Sequence, residues 1–215
     1  MVTVVTEVGR RSRSDQSGGT RQLILATAER LFAEQGLYAV SNRQISAAAG
    51  QGNNAAVGYH FGTKADLVRA IVRQHTERIE ELRAELVARV RGSTNVRDWV
   101  VCLVCPVTTH LDRLGDPTWY ARFGAQVAAD PAFRDIMAEE SLATPALREV
   151  LDGLGRCLAD LPTHARHQRG EMIRLLMVHG CAERERATSP KSTWDDTATG
   201  MVDAITGLLT APVTG

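Results

Sequence analysis

Residues 47–67 read AAAGQGNNAAVGYHFGTKADL, and their composition is poor for helix stability. Glycines stand at positions 50, 52, 58 and 62, and Asn53 and Asn54 form a pair. Gly58 falls where a helix is expected, and a glycine there costs about 1 kcal/mol relative to alanine. A short helix of this composition indicates that the surface it exposes matters more than its own stability.

Helix-capping signals lie on both sides of this segment. Ser41 with Gln44 fits a capping box, which opens a short helix that ends at Gly50. Thr63 with Asp66 fits a second box and opens a long helix. Residues 42–61 are therefore predicted to form a helix, a turn and a second helix.

The two faces of the predicted helix pair differ in chemistry. The inward face is predicted to hold Ile45, Ala48, Ala49, Val57 and Phe61. The outward face of the second helix is predicted to hold Asn53, Asn54, Ala55, Gly58 and Tyr59, with His60 beside it. Asparagine amides suit adenine edges in the major groove of DNA, whereas hydroxyl, imidazole and ammonium groups suit phosphates. Small side chains between them would let the helix backbone approach a groove closely.

The rest of the chain carries helix signals of the same kind. Residues 20–36 place Ile24, Ala28, Leu31 and Phe32 on one face, before a capping Gly36. Two further helices are predicted at about 95–114 and about 163–187. Two more are predicted to begin at Asp116-Pro117 and Asp130-Pro131, and Pro145 is predicted to kink or split the second of these. A capping box of Ser192 with Asp195 is predicted to open a last helix that ends at about 209. No hairpin dipeptides or alternating β-branched runs interrupt them. The fold class is predicted to be all-α, with about nine helices.

Charge is distributed unevenly along the 215 residues. The total is balanced, with 25 basic and 25 acidic residues, but the first 75 residues hold nine basic and five acidic ones. A basic first third on an acidic remainder favours a nucleic-acid partner. No apolar run reaches the roughly 20 residues that span a bilayer, and no signal-peptide pattern is present. We therefore expect a cytoplasmic protein without membrane contact, whose four cysteines are thiols.

The order of these features resembles the DNA-binding domain of TetR-family transcriptional repressors. The resemblance rests on the capped helix through Ile45-Ser-Ala-Ala-Ala-Gly50, the Tyr59-His60-Phe61-Gly62-Thr63-Lys64 segment and Leu67. It implies a three-helix DNA-binding domain (20–75, with its helix-turn-helix at about 42–61) and a helical domain for effector binding and dimerisation (76–215). Residues 1–19 are rich in Ser, Gly and Arg without periodicity, so they are predicted to form a disordered basic tail. The chain has ten residues between Gly50 and Phe61, one more than the commonest family spacing, so the register at 53–55 is open by one position.

The resemblance also implies roles for particular residues. Contacts with DNA are expected from Asn42, Arg43, Asn53, Asn54, Ala55, Tyr59, His60 and Lys64, with Lys64 and the residues opening the second helix approaching phosphates. The cluster of Arg10, Arg11 and Arg13 is either an arm for the minor groove or a solvated tail. The partners implied are a pseudo-palindromic double-stranded operator, a second copy of the chain and a small effector.

Two groups of residues in the C-terminal part are candidates for effector binding and dimerisation. Cys102, Cys105, His110, Trp119, Tyr120 and Phe123 are candidates for the wall of an apolar effector pocket, although filling the core is the alternative for each. The last two helices are predicted to form a four-helix dimer interface through Leu175, Leu176, Val178, Met201, Ile205, Leu208 and Leu209.

Other chemistry finds little support in the sequence. His164, His167 and Glu171 share a helix face, but no further ligand is near them, and Cys102-Cys105 is a single CxxC, so we predict no metal and no cofactor. A nucleophile motif, a phosphate loop and HExxH are all missing, so an enzyme is not favoured. The favoured function is a repressor that a small effector releases from DNA; the alternatives are a helical protein-interaction adaptor and a small-molecule-binding protein without DNA binding.

Overall fold

The computed structural model describes residues 13–187 and 192–213, and every regular element in those ranges is an α-helix. The ten helices are α1 (Arg13–Gln35), α2 (Asn42–Ala48), α3 (Ala56–Phe61), α4 (Lys64–Val90), α5 (Val96–Leu114), α6 (Tyr120–Ala129), α7 (Arg134–Leu142), α8 (Pro145–Cys157), α9 (Thr163–Arg186) and α10 (Trp194–Thr210). The predicted all-α class is confirmed.

The first three helices and the start of α4 share one core. All four residues of the predicted inward face of α1 are buried, and Ile24, Ala28 and Phe32 are fully so. Ile45 of α2 and Val57 of α3 are also fully buried. The two short helices are therefore held by tertiary packing, since isolated helices of six or seven residues are unstable in water.

Several predicted helix ends are confirmed. The capping boxes at Ser41 and Thr63 are both present, and Gly36 closes α1 at a positive φ of 88°, a conformation that favours glycine. Pro145 is the first residue of α8, so it separates two helices rather than kinking one.

Other helix ends differ from the prediction. Helix α1 begins at Arg13, so residues 13–19 are helical and not disordered. Helices α6 and α7 begin three residues or more after the predicted proline starts, at Tyr120 and Arg134. The box before α10 uses Thr193 with Asp196, one residue later than predicted. Aspartates before proline cap turns as readily as helices, and Asp130 accepts a hydrogen bond from the backbone N–H of Ala132 in this way.

The C-terminal helices extend the same core around α5. Helix α10 packs along α5, and α9 packs along α6. Trp99 of α5 is fully buried against α8, where a Cβ built on Gly153 would lie 2.3 Å from the indole ring. That glycine is therefore required by the close approach of the two helices.

Contacts between the two parts of the chain are polar as well as apolar. Phe32 of α1 stacks on Phe123 of α6 with ring centroids 6.2 Å apart. Glu140 of α7 accepts hydrogen bonds at 2.9 Å from both Arg69 and Arg73 of α4. These contacts join the first helices to the helices that surround the C-terminal cavity described below.

Candidate nucleic-acid interface and ligand cavity

Helices α2 and α3 form the predicted helix-turn-helix. The turn between them spans residues 49–55, and the Ser46 hydroxyl of α2 donates to the backbone carbonyl of Asn54 at 3.3 Å. Ser46 is fully buried, so this bond fixes the turn from inside. The geometry holds α3 against the core by Val57 and leaves its opposite face in solvent.

The exposed face of α3 is small and polar, as predicted. Tyr59 is 84% exposed, an unusual state for a large aromatic side chain. A Cβ built on Gly58 would meet nothing within 4 Å, so no contact inside the chain requires glycine there. His60 is half-buried and contacts the Tyr59 ring edge to face. The face can therefore approach a flat or grooved surface closely.

The two asparagines of the turn differ in the hydrogen bonds that they make. The Asn53 side-chain oxygen accepts from the backbone N–H of Ala55 at 2.9 Å, and the Asn53 carbonyl accepts from Ala56. Asn53 therefore shapes the entry to α3. The Asn54 side chain is exposed and makes no hydrogen bond to any described residue. Of the two, Asn54 has the amide that is free for a bidentate contact.

The alanines of this region differ in exposure. Ala48, predicted to face inward, is exposed. Ala56 is buried, whereas Ala55, a predicted DNA contact, is exposed. Helix α3 begins at Ala56, so Asn53, Asn54 and Ala55 lie in the turn before it.

Lys64 has a different environment from the one predicted. Its ammonium donates to the backbone carbonyls of Leu37 and Val40, each at 2.8 Å. Partial burial lowers the pKa of Lys64 from its ordinary value. The side chain thus joins the α1–α2 connection to the start of α4. A phosphate contact from the third ammonium hydrogen stays a prediction.

Of the remaining predicted DNA contacts, the structure describes Asn42 and Arg43 at the start of α2. Arg43 is exposed, and Asn42 is half-buried with a side-chain oxygen that has no partner among the described residues. Arg10 and Arg11 lie outside the described residues, as does the side chain of Arg13. Arg21 of α1, which the sequence did not single out, places its guanidinium 4.9 Å from the centre of the Phe61 ring. Only tertiary structure brings this charge to the end of α3.

A cavity of about 150 Å³ lies in the C-terminal part, bordered by residues of α4 to α9. Of the six predicted pocket residues only Tyr120 lines it. The other five lie elsewhere: Cys102 and Phe123 are fully buried in the core, His110 is buried in a polar cluster, and Trp119 and Cys105 are half-buried. These five residues therefore do not line this cavity, because sequence spacing alone does not separate core from cavity.

The cavity wall is mostly apolar but contains one buried cation. Arg83 is 4% exposed, and its Nε donates to the backbone carbonyl of Cys102 at 3.2 Å. Thr76 and Ser141 add hydroxyl groups to the wall, and Met137 adds a flexible thioether. An apolar site with a few convergent polar groups is typical of small-molecule binding.

A chain of buried polar groups lies behind Tyr120. The Glu29 carboxylate of α1 lies 2.8 Å from Nε2 of His75, whose Nδ1 lies 2.7 Å from Nε2 of His110. The His75 ring also stacks on the Tyr120 ring, with centroids 3.7 Å apart. Tyr120 lines the cavity, so this cluster connects the cavity wall to α1 of the N-terminal part.

The predicted dimer residues divide into two sets. Leu175 and Leu176 of α9 are 45% and 38% exposed, and Met172 beside them is also exposed. Val178 and Leu208 are half-buried. Met201, Ile205 and Leu209 are buried within the chain, where α10 packs on α5. These three are core residues and not contacts for a partner, so that part of the prediction is wrong.

The candidate metal ligands on α9 are all exposed, and Glu171 is paired with Arg174. Across residues 13–187 and 192–213, no group of three or more potential ligands is arranged to hold a metal ion. Burial raises the pKa of the Cys102 thiol to about 11, which disfavours the thiolate that metals and disulfide exchange require. No helix in the described ranges is long and apolar enough to cross a membrane.

Comparisons with known proteins agree with this geometry. Residues 24–71 match the model of the bacterial regulatory proteins of the tetR family. The HTH-type transcriptional repressor AcnR of Corynebacterium glutamicum is 36% identical over 80 residues, which is 36% of this chain and 42% of AcnR. The match thus spans less than half the length of that repressor.

One solved structure extends the likeness to the fold of most of the chain. A TetR-family transcriptional regulator from Mesorhizobium loti superposes on 93% of this chain and 98% of its own, with a TM-score of 0.53 and 13% identity. The TetR-family regulator PfmR from Thermus thermophilus covers 85% of this chain and 96% of its own at 18% identity, with a TM-score of 0.49. Likeness at such low identity concerns the fold alone.

The fold and the exposed face of α3 define a helix-turn-helix protein with a helical C-terminal part. Residues 24–71 of this chain are similar to the bacterial regulatory proteins of the tetR family.

Proposed function

We propose that this protein is a transcriptional repressor that binds operator DNA through α3 and leaves it when a small molecule occupies the C-terminal cavity. The observation that supports the proposal most is the surface formed by α3 and the turn before it. Asn54 of the turn and Gly58 and Tyr59 of α3 are exposed there, whereas the opposite face of α3 is buried. No described residue of the chain uses the Asn54 amide, and the exposed Tyr59 hydroxyl is available for a contact outside the chain. AcnR, which resembles this domain, is named a transcriptional repressor.

In the proposed complex, α3 enters the major groove and the surrounding polar groups position it. Asn54 reads a base edge, since an asparagine amide pairs bidentately with adenine. Tyr59, His60 and Arg43 contact phosphates, which fix register without reading sequence. Arg21 adds a positive charge at the end of α3. Such a protein works where the chromosome is, which agrees with the expected cytoplasmic location.

The functional unit is proposed to be a homodimer. One six-residue helix offers too few base contacts for specific binding, and two-fold symmetry doubles them on a pseudo-palindromic operator. The exposed apolar group of Met172, Leu175 and Leu176 on α9 is the surface that a second copy would cover. Two substitutions are expected to have different effects. Leu176→Glu should give a folded monomer, whereas Ile205→Glu should unfold the chain because Ile205 is fully buried.

Two contacts connect the wall of the cavity with the helices that pack beside α3. Helix α7, which contributes Met137 and Ser141 to the wall, holds α4 through Glu140. Tyr120, also in the wall, stacks on His75, which contacts Glu29 of α1. A ligand that favours another arrangement of α6 and α7 would change the spacing of the two α3 helices in the dimer, which is the differential affinity that release requires.

The test is selection of binding sites from a random duplex library, followed by affinity measurements in a salt series. We expect enrichment of a two-fold symmetric site and a steep loss of affinity with salt, since phosphate contacts release counterions. Tyr59→Phe serves as a matched variant that should weaken all duplexes about equally. Absence of binding to any duplex would leave the adaptor or the ligand-binding protein without DNA binding as the function.

A further inference from the structure

Arg83 is the one cation among the residues that line the described cavity, and its charge is poorly compensated. Its side chain is 5% exposed, and burial lowers the pKa of the guanidinium from its ordinary value. Arginine stays charged in proteins, and an unpaired buried charge is costly. An anionic partner would therefore stabilise a guanidinium that lies in an apolar wall.

The partner within the chain fills this role only in part. The Glu80 carboxylate lies 3.4 Å from Nη1 of Arg83, a long contact for a charged pair. The other oxygen of Glu80 is committed at 2.5 Å to the backbone N–H of Ala146, near the start of α8. Among the described residues Nη2 of Arg83 has no hydrogen-bond partner, and Nε is used by the Cys102 carbonyl. One side of the guanidinium fork is thus left for another acceptor.

The rest of the cavity limits what that acceptor can be attached to. The other lining residues are mostly apolar, including Ile79, Leu111, Leu147 and Met177. The volume of about 150 Å³ is comparable with that of an engineered protein cavity that binds benzene. The site therefore suits a small apolar body that carries a single charged head.

We infer that the cavity binds a small monocarboxylate with an apolar body of one ring or a short chain, whose carboxylate pairs with Arg83. The Ser141 hydroxyl, also in the wall, is a second donor for the head group. This inference rests on the proposed function only in taking the ligand to be the effector; the binding itself stands on the cavity and on Arg83.

The test uses benzoate and benzamide, which share shape and ring but differ in charge. Dissociation constants are measured by NMR titration on the full-length protein. Benzoate should bind at least about tenfold more tightly than benzamide, because hydrogen bonds to charged groups contribute more than neutral ones. Arg83→Met should remove that preference while leaving benzamide binding unchanged.

A second variant keeps the test independent of folding defects at Arg83. Glu80→Gln preserves the acceptor for the Ala146 N–H but removes the competing carboxylate, so benzoate should bind more tightly than to the unmodified protein. A merely structural role of the pair would not strengthen binding. Equal affinity for benzoate and benzamide, no binding of either, or benzoate binding that Arg83→Met leaves unchanged would each overturn the inference.

Duplex DNA binding is measured on the same preparations. Failure of benzoate binding in a protein that still binds a selected duplex would overturn the ligand class alone. Benzoate binding in a protein that binds no duplex would support the cavity and overturn the proposed function.

Discussion

His75 and His110 form a hydrogen bond in the interior of the protein, with Nδ1 of the first 2.7 Å from Nε2 of the second. The two rings are 4% and 7% exposed. One of the facing nitrogens must donate and the other accept, so at most one proton lies between them. A proton on both facing nitrogens would break this bond, since neither could then accept.

The first prediction is that stability falls between pH 6.5 and 4 because of His110. Burial, followed by repulsion from His75, Arg113 and Arg78, lowers the pKa of His110 from 6.5 to about 4. In this range the unfolded chain binds a proton that the folded chain does not. The contribution of His110 to the free energy of unfolding is therefore most favourable above pH 6.5. It becomes less favourable as the pH falls toward 4, by at most about 1.4 kcal/mol per pH unit.

Urea unfolding across this pH range, with and without His110→Gln, measures the contribution. The variant should show a shallower dependence of the free energy of unfolding on pH, since glutamine does not titrate. Carboxylates contribute equally to both proteins and cancel in the difference. Parallel curves for the two proteins would show that His110 is not responsible.

The second prediction concerns base recognition. Asn54→Ala should cost about 1–3 kcal/mol on the selected operator and almost nothing on random DNA, because a base contact is specific and phosphates supply non-specific binding. Asn53→Ala should instead weaken both duplexes modestly, since the Asn53 oxygen supports the turn before α3. Both variants are compared on both duplexes at one salt concentration. A larger operator-specific loss for Asn53→Ala would shift the register by one residue.

The third prediction separates stability from binding at Gly58. Gly58→Ala should raise the free energy of unfolding by up to about 1 kcal/mol, since alanine favours the helix and the added Cβ meets nothing within 4 Å. The same methyl group should weaken DNA binding if α3 lies close against the groove. Gly155→Ala in α8, where a Cβ also has open space, is the matched control and should leave DNA binding unchanged. Unaltered DNA affinity of Gly58→Ala would exclude a close approach at this position.

The sequence predicts what local chemistry determines. The boxes at Ser41 and Thr63 are confirmed because a cap satisfies donors within the same helix turn. The apolar face of α10 was predicted correctly as apolar but assigned to a partner. Periodicity shows that Met201 and Ile205 share a face, but does not show whether that face meets a second chain or α5 of its own.

Long-range arrangements were beyond the sequence for a related reason. His75 lies 35 positions from His110 and 46 from Glu29, so no spacing rule connects them. Arg83 is one of many arginines on a charged helix pattern, and only the packing of α4 against α5 makes it a buried one. Which asparagine is free depends on the turn before α3, where the Asn53 side-chain oxygen accepts from the backbone N–H of Ala55.

The fourth prediction concerns Lys64. Lys64→Met should lower the free energy of unfolding by about 1–3 kcal/mol, because the carbonyls of Leu37 and Val40 lose their donor. The salt dependence of DNA binding should change little. Arg43→Ala is the contrasting variant: it is exposed, so stability should be unchanged, while the slope of log affinity against log salt should fall by about one. A reduced slope for Lys64→Met would restore a phosphate contact to this residue.

The last prediction concerns the contact between α7 and α4. Glu140 is nearly buried, and its two oxygens accept from Arg69 and Arg73 at 2.9 Å each. Hydrogen bonds from Arg73 and Arg69 lower the pKa of this carboxylate below its ordinary value, so it is charged at neutral pH. Glu140→Gln keeps the shape of the side chain but weakens both contacts. It should make the position of the helix-turn-helix relative to the helices around the cavity more variable.

The readout for Glu140→Gln is the ratio of operator affinity to random-DNA affinity. The two arginines released by the substitution raise the attraction to every duplex, and the ratio cancels that effect. We expect the ratio to fall by the equivalent of about 0.5–2 kcal/mol, the range found for residues that couple distant sites. Glu139→Gln is the matched control, because Glu139 is more exposed and contacts Arg69 alone, and its ratio should change much less. An unchanged ratio for Glu140→Gln would mean that α7 does not set the position of α3. The contacts among Tyr120, His75 and Glu29 would then be the remaining connection between the cavity and the DNA-binding helices.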